Sequence, residues 1–350
     1  MSYSFFSRRN FLLSISAWLG CQARAAAQTQ SSHGTFIEPL SHTSGQNTPY
    51  AILSNMGPHG YPDKAISLQI EENQTFMIWS PPNSLSGRLV VFSHAEFEIP
   101  DDYTPLFRHW ASHGFVVVAP VHDDSIIKNG LLSHFGGGAH DEKWDPGIVY
   151  KQKQFWENRP KICSSVLDNI VKIERTGKIQ ILDERPIMAG ANLGAFTSQL
   201  ILGAQPVIDG SLINMSDERF YAGMLLSPQG VGVLGLNDES WRAVTRPILV
   251  ATGNGDNDAT GQDPNTKIDP FTMSPAGNKH LAWFGHLNHG LWTGEAARPE
   301  TIWDVIFHDF LAVSTAFLIA YGNYNADIFS LLSGNYFDTA SQNRLIMKYR

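Results

Sequence analysis

The sequence predicts an α/β fold, a mostly parallel sheet flanked by helices, and three observations carry that reading. Short continuous apolar runs, Leu89-Val90-Val91-Phe92 and FVVVA from Phe115 to Ala119, have the composition of strands buried on both faces. Between such runs lie stripes at 3.6-residue spacing, among them Tyr103, Leu106, Phe107 and Trp110, which mark amphipathic helices. The two patterns alternate along the chain, and alternation of this kind builds one parallel sheet with helices over both faces.

The elements follow in order. Ile66 to Ile70 and Phe76 to Trp79 read as an early hairpin, ahead of the two buried strands and the helix between them. A glycine-rich loop, FGGGAHDEKWDP, leads to a long helix expected between about Val149 and Ile173. The strand RPIMAGA then enters a helix beginning near Leu193. Tyr221 to Leu226, Ile248 to Ala251 and His280 to Phe284 supply three further strands. Ile302, Ile306, Phe310, Val313 and Phe317 mark a final helix. No internal repeat, low-complexity block or heptad pattern interrupts this order.

Size and charge set limits on function. A chain of 350 residues, 43% hydrophobic, suits one large domain or at most two. Residues 61–350 read as a single domain, and 28–60, rich in Ser, Thr, Gly, Asn and Pro, as a mobile lead-in. The first 27 residues read as an export signal: Arg8-Arg9 directly precede a short apolar run from Phe11 to Cys21, and small residues follow. That run is too short to span a bilayer, so stable membrane insertion is not expected. SRRNFL resembles the twin-arginine export consensus, which implies a periplasmic or secreted protein. A rival reading takes Leu19-Gly20-Cys21 as a lipoprotein cleavage site. Losing the three arginines of this segment would move the net charge from −8 to −11, an acidity that argues against nucleic acid as a partner. Two cysteines, Cys21 and Cys163, cannot build a disulfide framework, and cleavage near Ala27 would leave one.

Ligands of parallel sheets bind at the carboxyl ends of the strands, so the residues just past each strand are the candidates. After RPIMA come Gly190-Ala191-Asn192-Leu193-Gly194 and an apolar helix. Glycines two positions either side of a central residue are what a nucleophile elbow requires, because a side chain at either would clash. The central residue is ordinarily serine; here it is Asn192. Asp256, past the strand PILVA, stands where the acid of a triad belongs, although an Asp/Asn/Gly turn taken alone is more often simply solvated. His289, past the strand ending at Phe284, completes the order nucleophile, acid, base; His286 competes with it, as Asp258 does with Asp256. Past LVVF, the loop Ser93-His94-Ala95-Glu96 would give an oxyanion-hole N–H from Ala95 or Glu96, with Leu193 giving the other. His94 reads as a structural residue beneath that loop.

At these residues the chain resembles a known family. VVFSHAEFEIPDDYTPLFRHWASHGFVVVAPVH is similar to the corresponding stretch of dienelactone hydrolases, platelet-activating-factor acetylhydrolases and chlorophyllase-like esterases. SPQGVGVLGLNDESW, RPILVATGNGDND and DPFTMSPAGNKHLAWFGHLNHGLWTG resemble later segments of a bacterial branch. The resemblance covers about residues 65 to 320 and implies the α/β-hydrolase fold, with Asn192, Asp256 and His289 matching nucleophile, acid and base. It also implies an ester or lactone as the small-molecule partner, and no cofactor. Asn192 departs from the pattern: an amide nitrogen has its lone pair delocalised and cannot be activated as a hydroxyl is. Three outcomes follow: residual hydrolysis by water that His289 and Asp256 activate, a non-catalytic ligand binder, or deamidation of Asn192 to a carboxylate nucleophile.

A metal site is the remaining class to weigh. His122-Asp123-Asp124, His134 and His140-Asp141 share one loop region, but their spacing matches no compact zinc pattern, and a polar rim to the cleft is the expectation. Trp144, Trp156 and Trp241 are candidates for the cleft wall.

Overall fold

A computed structural model describes residues 47–125, 128, 153–258, 260–287, 289–294 and 301–350. The fold is α/β. Helix α1 (Pro49–Ser54) is followed by β1 (Ile66–Glu71), β2 (Gln74–Trp79), β3 (Ser86–Ser93), α2 (Thr104–Ser112) and β4 (Phe115–Pro120). Then come α3 (Lys153–Glu157), α4 (Arg159–Asp168), α5 (Ile170–Gly177), β5 (Gln180–Ala191) and α6 (Leu193–Ile201). A small hairpin of β6 (Val207–Ile208) and β7 (Ser211–Leu212) precedes β8 (Ala222–Leu226), β9 (Ile248–Gly253), α7 (Asp269–Met273) and β10 (Lys279–Phe284). The chain ends with α8 (Ile302–Gly322), α9 (Ala326–Ser333), α10 (Tyr336–Ala340) and β11 (Leu345–Tyr349).

Among the described residues the main sheet has nine strands in the order β1-β2-β4-β3-β5-β8-β9-β10-β11. From β4 to β10 every pairing is parallel, while β1, β2 and β11 add antiparallel edges. Period-two alternation along β3 sends Val90 and Phe92 to one face, where they meet α2 and α8 residues such as Phe107 and Phe310. Leu89 and Val91 turn to the other face, with Cys163 and Val166 of α4. A strand packed on both sides has no solvent face to mark with polar residues, which is why these runs are wholly apolar.

Three expectations need correction. The single long helix from Val149 is three shorter ones over its described part, broken at Asn158 and Asn169. Pro160 has no N–H for a continuing ladder, and the Asn169 side chain bonds back to the Ser165 carbonyl at 2.8 Å. The helix from Ile302 is not the last element: α9, α10 and β11 follow it. By length and composition α8 could cross a bilayer, yet 67% of its apolar window is buried inside the domain. The segment read as a mobile lead-in contains α1, capped by Thr48, with Pro49 in its first turn and Leu53 buried. Tyr50 fixes it: its hydroxyl donates to Asp309 Oδ1 at 2.5 Å, and Arg344 donates to the same carboxylate at 2.8 and 2.9 Å.

Candidate active site

The turn from β5 into α6 is a tight elbow. Asn192 sits at its apex with φ 50° and ψ −117°, a conformation that L-residues rarely adopt. The flanking glycines make it possible. A Cβ on Gly190 would lie 2.2 Å from the Gly194 carbonyl oxygen, and one on Gly194 would lie 1.9 Å from that of Ser93. Both contacts are with backbone, so neither can give way. The elbow is therefore wedged against the end of β3, whose following loop supplies Ala95 and Glu96.

Asn192, His289 and Asp256 come together. Asn192 Nδ2 lies 2.5 Å from His289 Nε2, and His289 Nδ1 lies 2.9 Å from Asp256 Oδ1. Asp256 follows β9, where Gly253 lets the chain pass the Phe284 carbonyl, and His289 opens a 3₁₀ turn after β10. Of the competing residues, His286 is exposed, and Asp258 takes Lys267 as its partner at 2.5 Å.

The surroundings of the acid were not foreseen. Asp256 is fully buried and accepts from Ser227 Oγ at 2.9 Å and Thr252 Oγ1 at 2.7 Å. Lys267, also fully buried, donates to Ser227 Oγ at 2.6 Å and lies 3.8 Å from Asp256. Burial alone would raise the pKa of Asp256; the charge of Lys267 and the bond from His289 hold it below the ordinary carboxylate value. For His289, burial pulls the pKa down, but the hydrogen bond and charge of Asp256 win and leave it raised. Ser227 stands directly past β8, so the strand-end rule points to it. Nothing in the loop DPNTKIDP marks Lys267 as buried.

Two of the expected oxyanion donors, Leu193 and Ala95, are engaged by this chain's own side chains. Leu193 N–H donates to Glu96 Oε2 at 3.3 Å. Ala95 N–H donates to the Tyr103 hydroxyl at 3.2 Å, and that hydroxyl donates to Glu98. Glu96 thus enters through its carboxylate. Phe97, at φ 62°, turns the chain sharply between the two glutamates. Glu98 is pushed up to about 8, chiefly by burial, with Asp102 and Glu96 adding to the rise and the Tyr103 bond opposing it.

Beneath the loop is a second buried network. Arg159 pairs with Asp124 through two bonds, of 3.0 and 2.5 Å, and donates to the carbonyls of His94 at 2.6 Å and Ala95 at 3.4 Å. His94 lies under the loop, bonded to Ala95 O at 2.7 Å and accepting the His122 N–H at 3.1 Å. Burial, reinforced by Arg159, pushes it down to about 3, so the ring is neutral. His122 is occupied by Ser93 at 2.8 Å. Among the described residues no three His, Cys, Asp or Glu side chains gather as a metal site; His134, His140 and Asp141 lie outside them. Trp156 and Trp241 are buried in the core rather than lining the cleft, Trp241 donating to Gln199 at 2.7 Å; Trp144 lies outside the described residues. Cys163 is a buried free thiol.

No protein-family model matches the chain, and no curated protein sequence matches it. What the site can do must come from its own chemistry. It holds a histidine oriented by a buried carboxylate, an amide where a nucleophile would stand, and a carboxylate on one backbone donor.

Proposed function

We propose that the chain is an α/β-hydrolase-fold protein, akin to the dienelactone hydrolase and esterase group, whose elbow cleft binds a small molecule without serine-type turnover. The observation that carries this is the Leu193 N–H given to Glu96. Ester hydrolysis needs that N–H for the negative charge developing on the substrate oxygen; here an anion of the protein already has it. Asn192 points the same way, since its amide nitrogen is a poor nucleophile. Its hydrogen bond also occupies the Nε2 on which a general base depends.

A second reading has one observation in its favour. The 2.9 Å bond between His289 and Asp256, with a raised His289, is the arrangement that activates a hydroxyl or water. Loss of a triad member leaves about 10³–10⁴-fold catalysis over water in serine hydrolases. Wild type, Asn192→Ala and His289→Ala should be compared on short p-nitrophenyl esters, with a fluorophosphonate probe for activated hydroxyls. The binding reading expects no labelling and equal background rates. A wild-type rate lost in His289→Ala establishes the second reading instead. Export through a twin-arginine signal is proposed with either, on Arg8-Arg9 and the run after them.

A further inference from the structure

Three consecutive carbonyls close helix α1, and each takes a histidine. His109 Nε2 donates to Leu53 O at 2.9 Å, His308 Nδ1 to Ser54 O at 3.4 Å, and His113 Nε2 to Asn55 O at 3.0 Å. His109 lies on α2, His113 just past its end and His308 on α8, so the three tie α1 to both helices. The last carbonyls of any helix lack partners within it, and a histidine can cap one. Capping all three this way makes the hold on α1 depend on the side chains that titrate nearest neutrality. The helix has six residues, too few to be stable alone, so it stays helical only while it is held.

Attached, these rings are poor proton acceptors. His109 is 1% exposed, its Nε2 proton goes to Leu53, and its Nδ1 is buried with no partner among the described residues. A second proton would sit there without an acceptor. The His109 and His113 rings lie 4.8 Å apart, so charging both would set two cations against each other. We propose that these three histidines form an acid-sensitive latch, which holds α1 on the domain at neutral pH and releases it when they are protonated. Burial, with His113 and His308 beside it, already pushes His109 down to about 3, and burial lowers His113 against the opposing Asn55 bond. Once α1 detaches, both rings return toward the ordinary value of about 6.5. The detached state then binds more protons, so attachment is fully present above about pH 6.5 and is lost as the pH falls below it. Of the other groups facing these rings, His59 adds to the lowering of His113, and Asp304 lies 4.0 Å from His308. Asp309 is held by Tyr50 and Arg344, and Arg108 turns to the Tyr61 ring. Release would bare the apolar surface that Leu53 now shares with Phe107 of α2 and Phe310 of α8.

The test is hydrogen exchange of the protein, read by mass spectrometry at about pH 7.5 and about pH 5, on either side of the ordinary histidine value. Each rate is divided by that of an unstructured peptide of the same sequence at the same pH. Peptides covering Ile52 and Asn55, whose N–H groups donate to Thr48 and Ala51, report on α1. His109 alone, moving from about 3 to about 6.5 on release, should raise the opening of α1 about thirtyfold between the two conditions. Peptides from β3 and β9 should stay protected. His109→Gln keeps a side-chain N–H for Leu53 but does not titrate, so it should remove most of the acid response. His113→Gln, at a less buried ring, should remove part of it. Tyr50→Phe should loosen α1 at both pH values and leave the response in place. If His109→Gln does not fold, as circular dichroism would show, His113→Gln and the wild type decide. Unchanged protection of α1 in the wild type overturns the latch, and so does equal loss across the sheet, which would be acid unfolding of the whole domain. A response that survives in full in the glutamine variants overturns it as well, and its disappearance in Tyr50→Phe would place the sensor at Asp309.

Discussion

The Glu96 carboxylate accepts the Leu193 backbone N–H at 3.3 Å, so the residue after the elbow spends its donor on the protein itself. A serine placed at position 192 would therefore meet a Leu193 N–H that is already engaged. Asn192→Ser alone should give little hydrolysis of p-nitrophenyl esters. Asn192→Ser with Glu96→Ala should exceed it by about 10²-fold, the usual worth of one oxyanion donor. Adding His289→Ala should abolish the gain. A single serine variant as active as the double would show that Glu96 does not block the site.

Lys267 is the buried counter-ion of two carboxylates. Lys267→Met should destabilise the fold by about 3–5 kcal/mol, because Asp256 and Asp258 would be left buried without it; urea unfolding measures this. The same change should raise the His289 pKa further, since Lys267 acts to lower it. Stability from a raised histidine is present below its unfolded pKa and lost as pH rises through the folded value. That loss should move to higher pH in the variant, and histidine NMR titration reads it directly. An unmoved pKa would mean the lysine charge does not reach the ring.

Glu98 reverses the usual carboxylate behaviour. With its folded pKa near about 8, above the ordinary value, the folded state keeps a proton that the unfolded state has released. Stability should fall as pH rises from about 4.5 toward about 8 and then level off. Glu98→Gln removes this slope, so its melting temperature should gain on wild type across that window. Parallel pH profiles for the two proteins would contradict the burial assigned to this group.

Gly194→Ala tests the wedge between the elbow and β3. The new methyl would lie 1.9 Å from the Ser93 carbonyl oxygen, so either β3 or α6 must move. A loss of about 1–3 kcal/mol is expected for such overpacking. Equal denaturation midpoints for wild type and Gly194→Ala would rule out the close approach.

Replacing Arg8 and Arg9 together by lysine should strand the precursor in the cytoplasm, as read by cell fractionation. A twin-arginine signal depends on that pair, whereas a signal of the ordinary secretory type needs only positive charge before its apolar run. Normal export of the variant would point to the ordinary route.

The parts that were legible in the sequence are those fixed by local physics. The buried strands announce themselves because both faces need apolar residues, and the elbow because two glycines must sit where carbonyls crowd in. Asn192, Asp256 and His289 could be named from their places past strand ends. Other features depend on contacts made only after folding. A lysine in a polar loop looks solvated, and Lys267 is buried because two carboxylates arrive from another segment. Glu96 reads as a backbone donor until folding brings its carboxylate to Leu193. The edge strand β11 is short: Leu345 and Met347 are buried, but Lys348 and Tyr349 are exposed, too brief an alternation to stand out. The helix breaks at Asn158 and Asn169 were hidden by an apolar stripe that continues across them.

Asp309 has a consequence for the timing of folding. It holds Tyr50 from near one end of the domain and Arg344 from near the other. During synthesis, helix α1 leaves the ribosome long before either of these partners exists. Its seat on α8 forms only after that helix has been made, and the ion pair completing it waits for Arg344. Contacts joining such distant parts of a chain form late, because the loop between them must close first. The nascent chain would then stay open at this seam until Arg344 has been made. A protein carried across a membrane after folding has that interval in the cytoplasm; one threaded through unfolded would have to close the seam on the far side.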